Sequence, residues 1–335
     1  NRVASVRQVL KNGRRDPNHE FGTNPCSEII LRSKQFCNLS EVVVRSEDTI
    51  ESLSRKVRLA TILGTLQSTL TYFPYLRKDW TRNTEDERLL GVSLTGILDN
   101  AMMGTNDINL VKTLLELKDV AINTNSKYSR SIGVPASTAI TCVKPSGTVS
   151  QLVDSASGIH PRHSDYYIRT VRCDNGDPLT TFLKLADIPN EPDITKPDKT
   201  TVFSFPIRAP DGALTRSNLT ALDHLELWKT YQEYWCEHKP SITVSIKERE
   251  WPLVGGWVYE NFDYISGVSF LPHTDHSYRQ APYQEITEVE YEKAKAKMPE
   301  AINWDLLKEF EKEDQTSGSQ TFACSGDGCE VVDLT

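Results

Sequence analysis

The chain has 335 residues, 38% of them hydrophobic and 25% charged, with a formal net charge of -8. This supplies a sizeable core, excludes a disordered chain, and fits one large domain or two ordinary ones. The acidic balance argues against a protein that tracks duplex nucleic acid with a basic face. No apolar run reaches the ~18 residues of a membrane span. The start, "NRVASVRQVLKNGRRDPNHE", is polar and basic without the apolar stretch of a secretory signal, so a cytoplasmic setting is expected. The sequence does not begin with Met, and the chain is expected to be a piece of a longer one.

In chain order, "FGTNPCSEIILRSKQFCNLSEVVVR" (Phe21 to Arg45) opens with a loop, because Pro25 cannot donate a ladder hydrogen bond. Ser40 to Arg45 reads as a strand. Asp48 and Glu51 suggest a capping box, with Ile50, Leu53, Val57, Ala60 and Leu63 as a helical stripe. Leu89 to Leu94 is strand-like. Asp107 caps a helix whose stripe is Leu110, Leu114, Leu117 and Ala121. Thr138 to Val143 is a strand running into "KPSGTVS", and Thr201 to Ile207 is another. Leu222, Leu225, Trp228, Tyr231 and Trp235 mark a helix. Strands at Ser241 to Ile246 and Gly267 to Pro272 enclose a helix in "GGWVYENFDYI", and two charged helices start near Thr287 and Ile302. Apolar strands alternating with helices predict parallel β/α units, in an open sheet or a closed barrel. The domain reading is residues 1–310 as one α/β body and 311–335 as a Gly/Ser-rich mobile arm.

Without a secretory signal, the seven cysteines point to thiols, catalytic groups or metal ligands rather than structural disulfides. Cys142 and Cys236 sit in apolar periodic segments and read as buried small hydrophobes; Cys173 gives no signal. In an extended segment Asn24, Cys26 and Glu28 would share one face. A carboxylate beside Cys26 disfavours its thiolate, which suits a cysteine that stays a thiol and gives up a hydrogen atom. A buried cysteine in a loop beside a surface glutamate is the plain alternative. The turn Pro145, Ser146, Gly147, Thr148 to Ser150 reads as a phosphate cradle of backbone N–H groups and hydroxyls, or as an ordinary glycine turn. His160 and His163 have no acid or cysteine at ligand spacing, so no metal is assigned. In the tail, "CSGDGC" places Cys324 and Cys329 in a flexible stretch suited to thiol–disulfide exchange. A zinc half-site is the rival reading there, without a second pair to complete it.

"GTNPCSEIILRSKQFCNLSEVVV" resembles the active-site stretch of ribonucleotide reductase large chains, with its Asn-x-Cys-x-Glu pattern and a second cysteine soon after. "KPSGTVSQLVDSASGIHPRHSDYYIRTVR" is similar to the loop with which that family holds substrate phosphates, and "RLLGVSLTGILD" looks like another of its strands. The resemblance implies the C-terminal portion of a ten-stranded α/β barrel, with a finger loop carrying the radical cysteine. It implies that Cys26 carries a thiyl radical, that Glu28 is the general base, and that Asn24 meets the reacting hydroxyls. Cys37 would be one of two reducing thiols. No other cysteine of the chain occupies the position of its partner, which implies a separate N-terminal half. Pro145, Ser146, Gly147, Thr148 and Ser150 would contact the phosphates. Cys324 and Cys329 would re-reduce the site and be reduced by thioredoxin or a similar dithiol.

The stretch from Pro240 to Lys293 is similar to the monomeric adenosylcobalamin-dependent triphosphate reductases, and the Cys-x4-Cys tail agrees with them. That implies ribonucleoside triphosphates as substrate and adenosylcobalamin as cofactor. The alternatives are a large subunit served by a separate metal radical subunit, to which Tyr166 and Tyr167 could belong, and an inactive split fragment that needs its other half.

Overall fold

The computed structural model describes residues 2–273, 279–312 and 316. Two compact units emerge: Asn1–Arg162 with Asp211–His273, and His163–Pro210 with Thr274–Thr335. Cys324 and Cys329 lie outside the described residues.

The first unit is built on parallel strands. Asn38–Val43, Leu90–Thr95 and Thr141–Cys142 pair in that order, with Asn38 opposite Leu90 and Val92 opposite Thr141. A parallel bridge from Val143 to Pro240 carries the run on to Ile242–Ile246, which pairs with Val268–Pro272. Helices Ile50–Gln67, Ile108–Ser131 and Trp251–Glu260 connect successive strands, as parallel pairing requires. Among the described residues the strands form an open run and no closed barrel.

Strand alternation sorts the two faces. Leu90, Val92 and Leu94 are fully buried with Val42 and Val44 against Leu53, Val57, Leu110 and Leu114 of the helices. Each such side chain contributes about 1.5–3 kcal/mol by leaving water. The opposite face carries Gly91, Ser93 and Thr95, and that face bears the site described below. Cys142 and Cys236 are fully buried, as their apolar surroundings predict.

Several elements differ from expectation in instructive ways. The capping box belongs to Thr49 and Ser52 rather than Asp48 and Glu51, because Asp48 is engaged by Lys56 and the Arg45 N–H. Leu63 is exposed; Thr61, Gly64 and Thr65 take the buried positions, since the helix passes close over Leu90. The helix expected in "GGWVYENFDYI" begins earlier, at Trp251, with Pro252 in its first turn. Asp107 caps its helix as expected, accepting the Asn109 and Leu110 N–H groups.

The second unit departs from the parallel pattern. Its sheet runs Tyr283–Glu285, Tyr166–Asp174, Thr200–Arg208, Asn190–Pro192, with every pair antiparallel. The connection between the two long strands holds one short helix, Pro178–Leu185, and the strand Asn190–Pro192, which itself pairs antiparallel with Thr200–Arg208, in place of the long crossover helix of a βα unit. Phe182, Leu183, Ile188 and Phe203 form its small core. Among the described residues no helix is long and apolar enough to cross a membrane.

Gly96 turns the chain at the end of the second strand with φ of 78°, and a Cβ there would collide with the Val44 carbonyl. Gly133 has φ of 74° but open space around it. Both Gly→Ala changes impose dihedral strain of about 1–2 kcal/mol, and only Gly96→Ala adds a backbone clash. Chemical denaturation should therefore show the larger loss for Gly96→Ala; equal losses would contradict the close approach.

Candidate active site

Strands Phe21–Thr23 and Ile30–Arg32 form an antiparallel hairpin, with Thr23 opposite Ile30. The loop between them carries Asn24, Cys26 and Glu28. It is turned rather than extended: Ser27 donates its N–H to the Asn24 carbonyl at 3.0 Å, and Ser27 itself lies at φ of 66°. Pro25 suits the second position of such a turn because its φ is already fixed. Asn24 Oδ1 accepts the Ile29 N–H at 3.0 Å and ties the loop to its own exit. The three residues therefore sit on a turn and not on one face of an extended strand. Cys26 is half-buried. Glu28 is only 2% exposed, and its Oε2 has no hydrogen-bond partner. A buried carboxyl oxygen left unpaired is costly, which is the signature of a group waiting for a ligand.

Long-range contacts pin this hairpin. The buried Arg15 guanidinium reaches Glu87 through two nitrogens at 2.6 and 2.8 Å, donates to the Ile30 carbonyl at 2.8 Å, and lies 4.5 Å over the Phe21 ring. His238 bridges two backbones. Its Nε2 donates to the Leu90 carbonyl at 2.9 Å, and its Nδ1 accepts the Ile30 N–H at 3.2 Å. That arrangement fixes a neutral ring, and burial holds its pKa down to about 3. Lys239 donates its N–H to the Glu28 carbonyl, while its fully buried ammonium donates to Ser5 Oγ at 3.1 Å. Burial lowers the Lys239 pKa to about 8, against the opposing pull of the Glu28 charge.

The floor beneath the loop is Gly91. A Cβ there would lie 2.5 Å from Leu39 Cδ2, 3.1 Å from Ile29 Cδ1 and 3.4 Å from Cys37 Sγ. Only glycine lets the loop, Leu39 and Cys37 converge over the second strand. Burial pushes the Cys37 thiol up; Arg15 and Lys144 oppose the shift and Glu28 adds to it. The hairpin, Cys37 and the start of the Lys144 loop thus share one electrostatic neighbourhood.

The Lys144 to Ser150 loop follows the third strand. Ser146 has φ of 50° and donates its hydroxyl to Glu41 Oε2 at 2.6 Å. Ser150 is fully buried with its hydroxyl unpartnered, Gly147 is half-buried and Thr148 is exposed. The helix that follows, Val149–Leu152, is a single turn. The Ser157 hydroxyl donates to the Pro145 carbonyl, and Gly158, at φ of 57°, lets the chain pass against the Lys144 carbonyl. His160 serves structure: its Nδ1 donates to the Ser157 carbonyl and its Nε2 accepts the Thr243 N–H. Among the described residues no group of three His, Cys, Asp or Glu side chains could hold a metal ion.

No family profile matches the chain. It is 30% identical over 316 residues to the adenosylcobalamin-dependent ribonucleoside-triphosphate reductase of Euglena gracilis, covering 92% of this chain and 42% of that protein. It is 32% identical over 283 residues to a probable adenosylcobalamin-dependent ribonucleoside-triphosphate reductase of Dictyostelium discoideum, covering 81% and 36%. The fold matches the crystal structure of a B12-dependent (class II) ribonucleotide reductase with a TM-score of 0.75 at 24% identity, over 90% of this chain and 45% of that one. The chain belongs to the ribonucleotide reductase family. It spans less than half the length of these relatives.

Sequence reading of this reductase chain passed over Arg15, Glu41, His238 and Lys239. Glu41 was within reach of it: strand alternation from Cys37 puts Leu39 and Glu41 on the same face. The other three act across large sequence separations and carry no local pattern.

His238 and His224 also set an acid limit. His224 is buried, donates Nε2 to the Ile159 carbonyl, and has its pKa lowered to about 3 by burial. Both rings are neutral when folded, whereas the unfolded chain protonates them near 6.5. Their contribution is complete above that pH and is lost as pH falls toward 3, at about 1.4 kcal/mol per pH unit per ring. Glu41, raised by burial, acts with the opposite sign as pH rises above its unfolded value of 4.5. Denaturation midpoints measured from pH 6.5 to 5 should fall, and replacing either histidine by glutamine should flatten that slope by about half. An unchanged slope in both variants would refute the assignment.

Proposed function

We propose that this chain is the catalytic C-terminal part of an adenosylcobalamin-dependent ribonucleoside-triphosphate reductase, acting with the remaining half of the enzyme. The observation that carries the reading is the hairpin loop: it carries Asn24, Cys26 and Glu28, its exit Ile29 meets Cys37 over a glycine floor, the Glu28 charge acts on Cys37, and a buried carboxyl oxygen of Glu28 has no protein donor. The relatives' names supply the cofactor and the substrate class.

In this reading Cys26 accepts the radical. A half-buried thiol on a hairpin turn fits a group that must be reached from outside and then covered. Adenosylcobalamin, when bound, supplies the one-electron oxidising equivalent that turns the Cys26 thiol into a thiyl radical. Every further step belongs to the chain and its substrate. The Cys26 radical takes the hydrogen atom from C3′. Glu28 Oε2 takes the proton of the 3′ hydroxyl, the role its missing partner leaves open. The Asn24 carbonyl oxygen is committed to the loop, so its Nδ2 would be the donor toward the sugar hydroxyls. The 2′ hydroxyl leaves as water with the proton of one of two reducing thiols, Cys37 and a second thiol from the remaining half. The two thiols supply two electrons and the hydrogen that reaches C2′ and become a disulfide, Glu28 returns its proton to the 3′ oxygen, and Cys26 returns its hydrogen atom to C3′. The raised pKa of Cys37 supports this, because the thiol keeps its proton until the hydroxyl departs.

Pro145, Ser146, Gly147, Thr148 and Ser150 would hold the phosphates, supported by the strained Ser146 backbone and the unpartnered Ser150 hydroxyl. Residues 311–335 would form the arm on which Cys324 and Cys329 exchange electrons with the site, reduced in turn by thioredoxin or a similar dithiol. The enzyme would work in the cytoplasm.

The test uses the full-length reductase with adenosylcobalamin and a dithiol. Cys26→Ser should abolish deoxynucleotide formation while ribonucleoside triphosphate still binds. Product formed at the parent rate would overturn the role of Cys26. An absolute need for a separate metal-bearing subunit would instead overturn the cofactor assignment.

A further inference from the structure

Glu41 stands out because a carboxyl faces a loop that, on the reading above, receives phosphates. Cys37, Leu39 and Glu41 alternate onto the site face, while Ser40 turns the other way and donates to the Ala60 carbonyl of the covering helix. Glu41 Oε2 accepts the Ser146 hydroxyl at 2.6 Å; Oε1 is buried and accepts nothing. The Ser150 hydroxyl, fully buried in the same loop, is also without a partner.

This arrangement conflicts with an ionised Glu41 once phosphate arrives. The Ser146 hydroxyl has one proton, and it is already given to Glu41. If phosphate takes that hydrogen bond, a charged Glu41 loses its 2.6 Å donor and keeps only the Ser93 hydroxyl and Lys144 against another anion, at a cost on both counts. A protonated carboxyl removes the conflict. Its O–H donates to Ser146 Oγ, and Ser146 then donates to phosphate, so each proton in the relay has one acceptor. The surroundings favour that state. Burial raises the Glu41 pKa, and the Ser146 hydroxyl, Lys144 and Ser93 only partly offset it. Lys144, from the loop itself, is the charge acting on Glu41; the adjoining strand offers the Ser93 hydroxyl, which also accepts the Lys144 N–H.

We propose that Glu41 is a further binding residue beside the phosphate loop that engages the nucleotide as a neutral acid, so that an ionised Glu41 takes up one proton when the nucleotide binds. The inference rests on the phosphate-loop reading. The balance is simple: one solvent proton is bound on Glu41 Oε2, no covalent bond changes, and the proton leaves when the nucleotide does.

The experiment is isothermal titration of the full-length reductase with CTP, at pH 6 and pH 8, in two buffers of different ionisation enthalpy. Parent protein, Glu41→Gln and Gly147→Asp are compared. The parent should bind more weakly at pH 8 than at pH 6, by at most about tenfold per pH unit, the limit for one linked proton. Glu41→Gln, a permanent neutral mimic, should bind with the same affinity at both pH values, and should take up one proton fewer than the parent wherever the parent's affinity falls with pH. Equal affinities and equal proton counts in parent and Glu41→Gln would overturn the proposal while leaving the loop reading intact. Loss of binding in Glu41→Gln, with parent binding dependent on Mg2+, would also overturn it, since the carboxylate would then be a charged cation ligand. CTP binding unaffected by Gly147→Asp would remove the loop reading itself, and the proposal with it.

Discussion

A single buried guanidinium holds the hairpin in place. Arg15 lies on neither strand of the hairpin, yet it donates to the Ile30 carbonyl and covers the Phe21 ring, so it grips both strands. Its charge is balanced by Glu87, whose carboxylate is also held by the Gln35 amide. Burial alone would raise the Glu87 pKa; the Arg15 hydrogen bonds and charge reverse that and hold it below the usual range. A buried ion pair contributes little to stability, because desolvation consumes most of its Coulomb gain. Breaking it is another matter, since the surviving charge would be stranded. Such a pair therefore fixes geometry more than it adds stability. The loop it fixes carries the thiol and carboxylate on which the proposed chemistry turns.

The parallel strands then divide their labour by alternation. Residues on the helix side are the large aliphatics of the core. On the other side, Gly91 makes room where Ile29, Leu39 and Cys37 converge, Ser93 caps the Lys144 N–H, and the Thr95 hydroxyl donates to the Ala156 carbonyl while accepting the Gly158 N–H. Strands covered on both faces by hydrocarbon read as uninterrupted apolar runs. Here "LGVSLT" is interrupted at every second position by a small or hydroxylated residue, and those interruptions hold the site loops by their backbone atoms.

How much of this could be read from the sequence depends on how far each interaction reaches. Asp107 was legible as a cap because its partners are two and three residues away. Thr49 was not, because Asp48 beside it is an equally good cap on paper and is withdrawn by Lys56, eight residues on. Leu63 fitted the helical stripe, but the stripe drifts: the helix comes so near Leu90 that a Cβ at Gly64 would lie 3.4 Å from it, and small residues win the buried side. Cys26, Glu28 and Cys37 draw attention in the sequence because a thiol, a carboxylate and a second thiol lie in one short stretch; the structure shows where that stretch sits, and their roles remain the proposal above. Arg15, His238 and Lys239 were not, since nothing near them in sequence signals a partner in the hairpin. Thr201 to Ile207 was misread as parallel because its apolar run looks the same in either orientation, and its partners, Tyr166–Asp174 and Asn190–Pro192, are set by tertiary pairing.

The charges of the site can be weighed together. A site that is to receive a polyphosphate, as proposed above, cannot hold several uncompensated negative groups, yet this region carries Glu28, Glu41 and two cysteines. Each is dealt with differently. Lys239, with a pKa of about 8, remains mostly protonated at neutral pH and supplies the countercharge for Glu28. Cys37 is pushed toward its neutral thiol by burial and by Glu28. Glu41 has Lys144 nearby and a pKa raised by its own burial. Only Glu41 faces the phosphate loop, and it is the acid without a buried ammonium behind it. Its charge is therefore the easiest in the site to extinguish by protonation, and an arriving anion would push it in that direction.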